Sequence, residues 1–450
     1  MYALVVLCFL VVVWFLWQRV NAALYNDKLA PLSLLFYFWT GPFILSLSNL
    51  SGLQAGMDPY SVGIIIVSTL LLAATCMVPA IVGKRADFRN FTAATIRPVR
   101  VLPAGILAFF ALTLVALYFA EFQGRDLPLL GYLLGDAGDS NLHTFGKDSR
   151  LQIIAFGLHS ASIFMFYMAL NERRRVMRVF YTFLALTVVV LGLAKASKSD
   201  IFIPILAYGG LAYYHYRIKN KAMPRFLLVV AALALLLVVS ITSVRLQGVG
   251  LTDGYSGLIE FRYAESVGAV AAEFISIIYG YTALGFQNFS NYVATHPAEF
   301  RLGTSLFRPV LSALLMGDEA DSIGVPVEHW NVVSGAANTG TFLTPLYIEG
   351  GVIFCLLGSV LYGLLVNFVY LAFRSKGSIA WLFAYISLLF PWTWLFFTNA
   401  FSVLSIYVNL FYIWILALAF MRNSSRQLIP VGLIQAGEPN VLRSSSRYTA

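Results

Sequence analysis

Apolar residues gather along this chain in long runs, and polar residues collect between them. The runs lie near or above the roughly 20 residues that a helix needs to cross a bilayer. They predict helices at about 2–18, 29–48, 62–82, 101–120, 151–170, 179–194, 200–216, 226–242, 343–372, 379–397 and 399–421. This is the pattern of an all-α polytopic membrane protein with about eleven transmembrane helices, in one domain over residues 1–421. A polar tail, 422–450, is expected to be disordered.

Two of the intervening segments exceed the length of simple connectors, roughly 12–15 residues. The first covers 121–150 and is polar and glycine-bearing. The second covers 243–342 and is expected to be partly helical, with an apolar, aromatic stretch from Val267 to Tyr281. Such a stretch is expected to lie on the membrane or dip partly into it, where protein or a watery cavity satisfies the backbone.

Charge adds an orientation. Alternate loops and the tail carry 21 of the 30 lysines and arginines, among them Arg19, Lys28, Arg100, Arg173 to Arg175, Arg217, Lys219, Arg374, Lys376 and Arg422. Because basic residues are retained on the cytoplasmic side, the amino terminus is predicted outside, the carboxyl terminus inside, and both long loops outside. The net charge of +9 is therefore a topology signal and an attraction to anionic headgroups. Nucleic acid is dropped as a partner.

Composition agrees: 59% of residues are hydrophobic and only 11% charged, far too little polar surface for a water-soluble fold of this length. Residues Ala3 to Trp17 have no basic residue before them and no small-residue cleavage site after them, so they read as a retained helix. Cys8, Cys76 and Cys355 sit inside apolar runs without metal or redox spacing and read as core filler.

No nucleotide, zinc or serine-hydrolase motif occurs in its required context, so an enzyme built on this chain draws its energy from the substrate. The large loop supplies the candidate chemistry. Its basic residues, Arg245, Arg262, Arg301 and Arg308, are all arginine. A guanidinium grips phosphate oxygens in pairs and stays charged when partly desolvated; the plainer alternative is pairing with the loop's own acids. Arg262 leads, because on a helix Glu265 would lie three residues along on the same face. The pair reads either as a phosphate ligand beside a general base or as an ion pair. Glu260, Asp253 and Glu273 compete for the base.

Lys195 and Lys198 flank a short outer turn where Ser197, Ser199 and the first backbone donors of a helix offer an anion site; snorkelling to headgroups is the alternative. His329 with Trp330 reads as a base, a sugar-stacking platform or merely polar surface. His296 is a further loop histidine. Asp318, Glu319 and Asp321 form a solvated charged turn without the ligand spacing of a cation site, and no bound metal or other cofactor is expected.

Four stretches, Gly192-Leu-Ala-Lys-Ala-Ser-Lys-Ser-Asp200, Leu284-Gly-Phe-Gln-Asn-Phe289, Phe300-Arg-Leu-Gly-Thr304 and Asn338-Thr-Gly-Thr-Phe342 with Tyr347-Ile-Glu-Gly-Gly351, together with the helix count and the large loop, resemble the oligosaccharide repeat unit polymerases, the Wzy-type O-antigen polymerases of bacteria. Where that family often carries arginine in the short outer turn, this chain has Lys195 and Lys198. The resemblance implies a GT-C-like, metal-independent inverting glycosyltransferase of the inner membrane. Its substrates would be undecaprenyl-pyrophosphate-linked oligosaccharides, and a chain-length regulator and a flippase are possible partners. Catalysis would fall to Arg262 and Glu265, pyrophosphate binding to Arg245, Arg301, Arg308, Lys195 and Lys198, and sugar binding to His329, Trp330 and Asn338. Two other readings stand beside it: an O-antigen ligase using the same donor, and a transporter or flippase of lipid-linked sugars. The second is weakened by the lack of internal repeats and of polar residues within helices.

Overall fold

A computed structural model describes residues 2–53, 56–82, 99–123, 129, 131, 149–195, 197–219, 236–237, 239–243, 254–298 and 340–423. The chain is a helical bundle. In order, its elements are α1 (Tyr2–Leu24), α2 (Pro31–Leu35), α3 (Gly41–Ser46), α4 (Pro59–Val82), β1 (Val99–Val101), α5 (Pro103–Leu117), α6 (Ser149–Asn171), α7 (Arg175–Ala194) and α8 (Lys198–Ile218). There follow α9 (Gly254–Leu258), α10 (Ala264–Val267), α11 (Ala269–Thr295), α12 (Leu343–Lys376), α13 (Ile379–Thr393), α14 (Leu404–Phe420) and β2 (Met421–Asn423).

Local chemistry sets several boundaries. Pro59 and Pro103 open α4 and α5, where a missing N–H costs nothing. The Asp58 carboxylate accepts from the Ser61 N–H at 2.8 Å as an N-cap. Gly377, in the left-handed region at φ 59°, ends α12 and turns the chain into α13.

Six helical segments among the described residues are long and apolar enough to cross a membrane: Pro59–Met77, Pro103–Phe122, Leu151–Asn171, Arg175–Ala194, Ala269–Thr295 and Leu343–Lys376. Many large apolar side chains face outward, including Val176, Phe183 and Val190 on α7 and Leu357, Leu361 and Phe368 on α12. Water would not tolerate this; lipid does. The protein is a membrane-embedded helical protein. At its centre stands α13, buried from Leu382 to Ile386 and again from Leu388 to Thr393, and packed on α8, α12 and α14. Its apolar surface on every side is what a central helix requires.

The helix expected at 29–48 runs from Pro31 to Ser46 and takes a π-helical turn at Phe36–Thr40 between α2 and α3. Elsewhere the structure departs from the sequence expectation. The helix expected at 379–397 ends at Thr393, two residues past Pro391. The expected helix at 226–242 lies largely outside the described residues. Met421 to Asn423, placed at the end of the last helix and the start of the tail, instead pair antiparallel with Val99 to Val101, so a two-stranded ladder joins an otherwise helical fold. The large loop, expected to be partly helical, carries the 27-residue α11.

The loops group into two ends of the bundle. At one, the basic end, Asp27 meets Arg217 and Arg374 and β1 meets β2. At the other, the α11 end, Leu50 to Gly52 meet Glu260 to Arg262, Asp58 meets Ser290, Glu121 meets Lys195 and Lys198 meets Tyr281. Long as it is, α11 finds its neighbours at the α11 end: Ser46 beside Gln287, Leu50 beside Tyr279 and Asp58 beside Ser290. It lies across the end of the bundle.

The basic end is held by a buried carboxylate. Asp27 accepts from the hydroxyls of Tyr213 (2.9 Å), Tyr214 (3.1 Å) and Tyr370 (2.8 Å) and faces Arg374 at 3.5 Å and Arg217 at 3.8 Å. Three distant parts of the chain meet on one side chain.

Candidate functional site

At the α11 end, the loop after α3 and the segment joining α9 to α10 form a small backbone lattice. The Gly52 N–H donates to the Glu260 carbonyl at 2.8 Å, and the Arg262 N–H donates to the Leu50 carbonyl at 3.0 Å. Gly52 is required there, because a Cβ would come within 2.6 Å of the Glu260 carboxylate. Glu260 itself takes a left-handed φ of 48°, and the turn it makes sets Arg262 at the surface.

The Arg262 Nε donates to the Ser51 carbonyl at 3.1 Å. That bond fixes the root of an exposed guanidinium and leaves both Nη nitrogens without a partner among the described residues. Glu265 is exposed too, in the first turn of α10. The expected helical relation between the two is absent: α10 begins at Ala264, after Arg262, and no Arg262–Glu265 ion pair forms. The Arg262 N–H is taken by the Leu50 carbonyl and the non-helical Tyr263 caps α10, so the helix starts only past Arg262.

The rival bases separate. Glu273 accepts from the backbone N–H groups of Tyr255 and Ser256, each at 3.0 Å, and so caps the start of α9. Its carboxylate is committed to structure. Asp253 lies outside the described residues.

The two lysines of the outer turn separate as well. Lys195 pairs with Glu121 at 2.7 Å and with Asp200. Burial alone would pull its ammonium down, but Asp200 and Glu121 outweigh burial and hold the pKa above the ordinary lysine value. Its charge is thus balanced inside the protein. Ser197 accepts from the Asp200 N–H at 3.4 Å, so the helix start expected to receive an anion is capped from within. Lys198 differs: its ammonium lies 3.9 Å from the centroid of the Tyr281 ring and contacts the Tyr281 hydroxyl. Tyr281 stacks between Tyr255 at 5.8 Å and Phe397 at 5.5 Å. A cation held on a stacked aromatic ring is a group suited to phosphate.

Lys198 and Arg262 border one apolar cluster, built on Tyr255, Ile259, Phe261, Ile277, Tyr279 and Leu284. Beneath it runs a buried seam that the sequence reading did not single out for chemistry. Gly285 passes so close to the Phe396 carbonyl and Gly340 that an added Cβ would come within 2.7 Å of the former. Phe289 packs edge-on against Tyr347 at 6.0 Å, and Trp39 touches both Phe286 and Phe342. Glu349 is fully buried, immediately before a break in α12 at Gly350 and Gly351. The signal was present as Glu-Gly-Gly inside an apolar run, since an ionisable residue at membrane depth is a functional candidate by default. A second missed group is His159, whose Nδ1 is buried without a hydrogen-bond partner in a small cleft with Glu121, Lys195 and Asp200.

Of the other expected site residues, Arg245, Arg301, Arg308, His329, Trp330 and Asn338 lie outside the described residues, as do Glu299 and the turn at Asp318, Glu319 and Asp321. His296 stacks on Tyr292 at 4.7 Å. Comparison with family models, characterised proteins and solved structures finds no match to the chain.

Proposed function

We propose that this chain polymerises undecaprenyl-pyrophosphate-linked oligosaccharide repeat units into a long surface polysaccharide, at the outer face of a bacterial inner membrane. The basic end would face the cytoplasm and the α11 end the periplasm. One observation carries the reading. Stretches far apart in sequence that resemble the polymerase family come together at the α11 end: Leu284 to Phe289 against Gly340 and Tyr347, with Lys198, from Gly192 to Asp200, over Tyr281 of the same helix.

The reaction suits such a surface. The hydroxyl of the terminal sugar on a new repeat unit attacks the anomeric carbon of the growing chain. The carbon–oxygen bond to pyrophosphate breaks, a new glycosidic bond forms on the opposite face, and the hydroxyl proton passes to a carboxylate, which we assign to Glu265. Negative charge gathers on the departing pyrophosphate, where the Arg262 guanidinium and the Lys198 ammonium would stabilise it. Lys195, already balanced by two carboxylates, is better suited to hold the turn that presents Lys198.

Deleting the gene and running the surface polysaccharide on a gel tests the reading. The expected result is collapse of the ladder to a single repeat unit, restored by a plasmid copy. Full-length polymer stranded on its lipid carrier would identify a ligase instead, and an unchanged ladder would exclude both.

A further inference from the structure

At the basic end, the β1–β2 ladder places Arg100 directly opposite Arg422. Side chains of a directly opposed antiparallel pair share one face with Cβ atoms about 5 Å apart, and like charges there are destabilising. Neither arginine pairs with a carboxylate among the described residues, and both are exposed. A short ladder that tolerates this repulsion calls for an anion beside it.

Arg100 lines a cleft of about 470 Å³ between the ladder and helices α6, α7, α8 and α13. This is within the few hundred to one thousand Å³ typical of small-ligand sites. His215 and Lys219, 3.0 Å apart, line the same cleft, while Met168, Leu211 and Leu382 provide an apolar wall. Among the described lining residues the one carboxylate is Glu172, whose Oε1 accepts from the backbone N–H groups of Arg173 and Arg174 at 2.8 and 2.9 Å. The cleft therefore joins a cationic mouth to an apolar floor at one end of a membrane bundle.

We propose that this cleft binds the phosphate-bearing headgroup of an anionic lipid, with the phosphate between Arg100 and Arg422 and toward Lys219, and the first methylenes of the lipid along Met168 and Leu211. The site lies at the opposite end of the bundle from Arg262 and does not depend on the polymerase reading.

The test is thermal unfolding of the delipidated full chain in detergent, titrated with phosphatidylglycerol, phosphatidylcholine or glycerol 1-phosphate. Phosphatidylglycerol is expected to raise the Tm and phosphatidylcholine to leave it unchanged. Arg100→Gln should raise the half-saturating phosphatidylglycerol concentration about tenfold, as loss of a charged hydrogen bond of roughly 1.4 kcal/mol would, while Arg19→Gln, on α1 and not among the residues lining the cleft, should not. Without lipid, Arg422→Gln should raise the Tm by relieving the repulsion while weakening the lipid response. An Arg422→Gln protein that is less stable than the parent without lipid, or an undiminished response in either cleft variant, would overturn the site. A response to glycerol 1-phosphate equal to that of the lipid would overturn the lipid and assign a soluble phosphate compound.

Discussion

A guanidinium tethered by one nitrogen and open at two is the residue on which the proposed chemistry turns. Because Arg262 is held by its Nε on the Ser51 carbonyl, lysine cannot replace it: an ammonium loses both the tether and the paired grip on phosphate oxygens. Arg262→Ala should lower polymerisation about 10²–10³-fold, the usual cost of one lost transition-state donor, and Arg262→Lys should fall close to it. The check is chain extension of a lipid-linked repeat unit by membranes carrying equal amounts of each protein; near-normal activity in both variants would make Arg262 structural. At the other end, Asp27→Ala strands Arg374, which is 8% exposed, beside three tyrosine hydroxyls. Breaking a buried pair in this way costs about 3–5 kcal/mol, so thermal unfolding in detergent should shift downward markedly. Arg262 was legible as a candidate because arginine was the only basic residue type in the large loop. The partnership with Glu265 was not, since the Arg262 N–H is drawn to the Leu50 carbonyl by a tertiary bond and the helix begins after it. The role of Lys195 was hidden for the same reason: Glu121, 74 positions earlier in the chain, supplies part of its compensation.

Among the elements, α12 is the most constrained. Gly351 sits at φ 61°, ψ −149°, a region essentially closed to side chains that costs of order 1–3 kcal/mol. Gly351→Ala should therefore destabilise by about 2 kcal/mol or more in a denaturation experiment. Gly63→Ala, in helix α4 with open space at its Cβ, should be neutral or slightly stabilising. A Gly351→Ala protein as stable as the parent would show that the break is not held by the fold. The second element with a functional consequence is α11. A disulfide joining its second half, near Gln287, to the end of α3, near Ser46, should suppress polymerisation if α11 moves as a lid, and leave it intact if α11 is a fixed roof. Most helices were legible from apolar runs alone, but around α11 only a partly helical loop was: its glycines and polar residues, such as Gln287 and Asn288, broke the run. The packing of Gly285 against Phe396 turns those same residues into contacts.

For the whole molecule, composition alone was enough to require lipid as solvent, and the outward-facing leucines and phenylalanines of α7 and α12 answer that requirement. The β1–β2 ladder was not legible, because three residues at the edge of a polar tail carry no period. It nonetheless ties the end of α14 to the start of α5.

The Asp27 hub also bears on biogenesis. Asp27 leaves the ribosome with the first helices; Arg217 follows 190 positions later and Arg374, the nearer counter-charge at 3.5 Å, 347 positions later. At synthesis rates of about 5–20 residues per second, the carboxylate waits roughly 10–40 seconds for the first guanidinium and roughly 20–70 seconds for the second. The hub therefore closes only once α12 has been made, and a nascent chain stalled before α12 lacks both Tyr370 and Arg374.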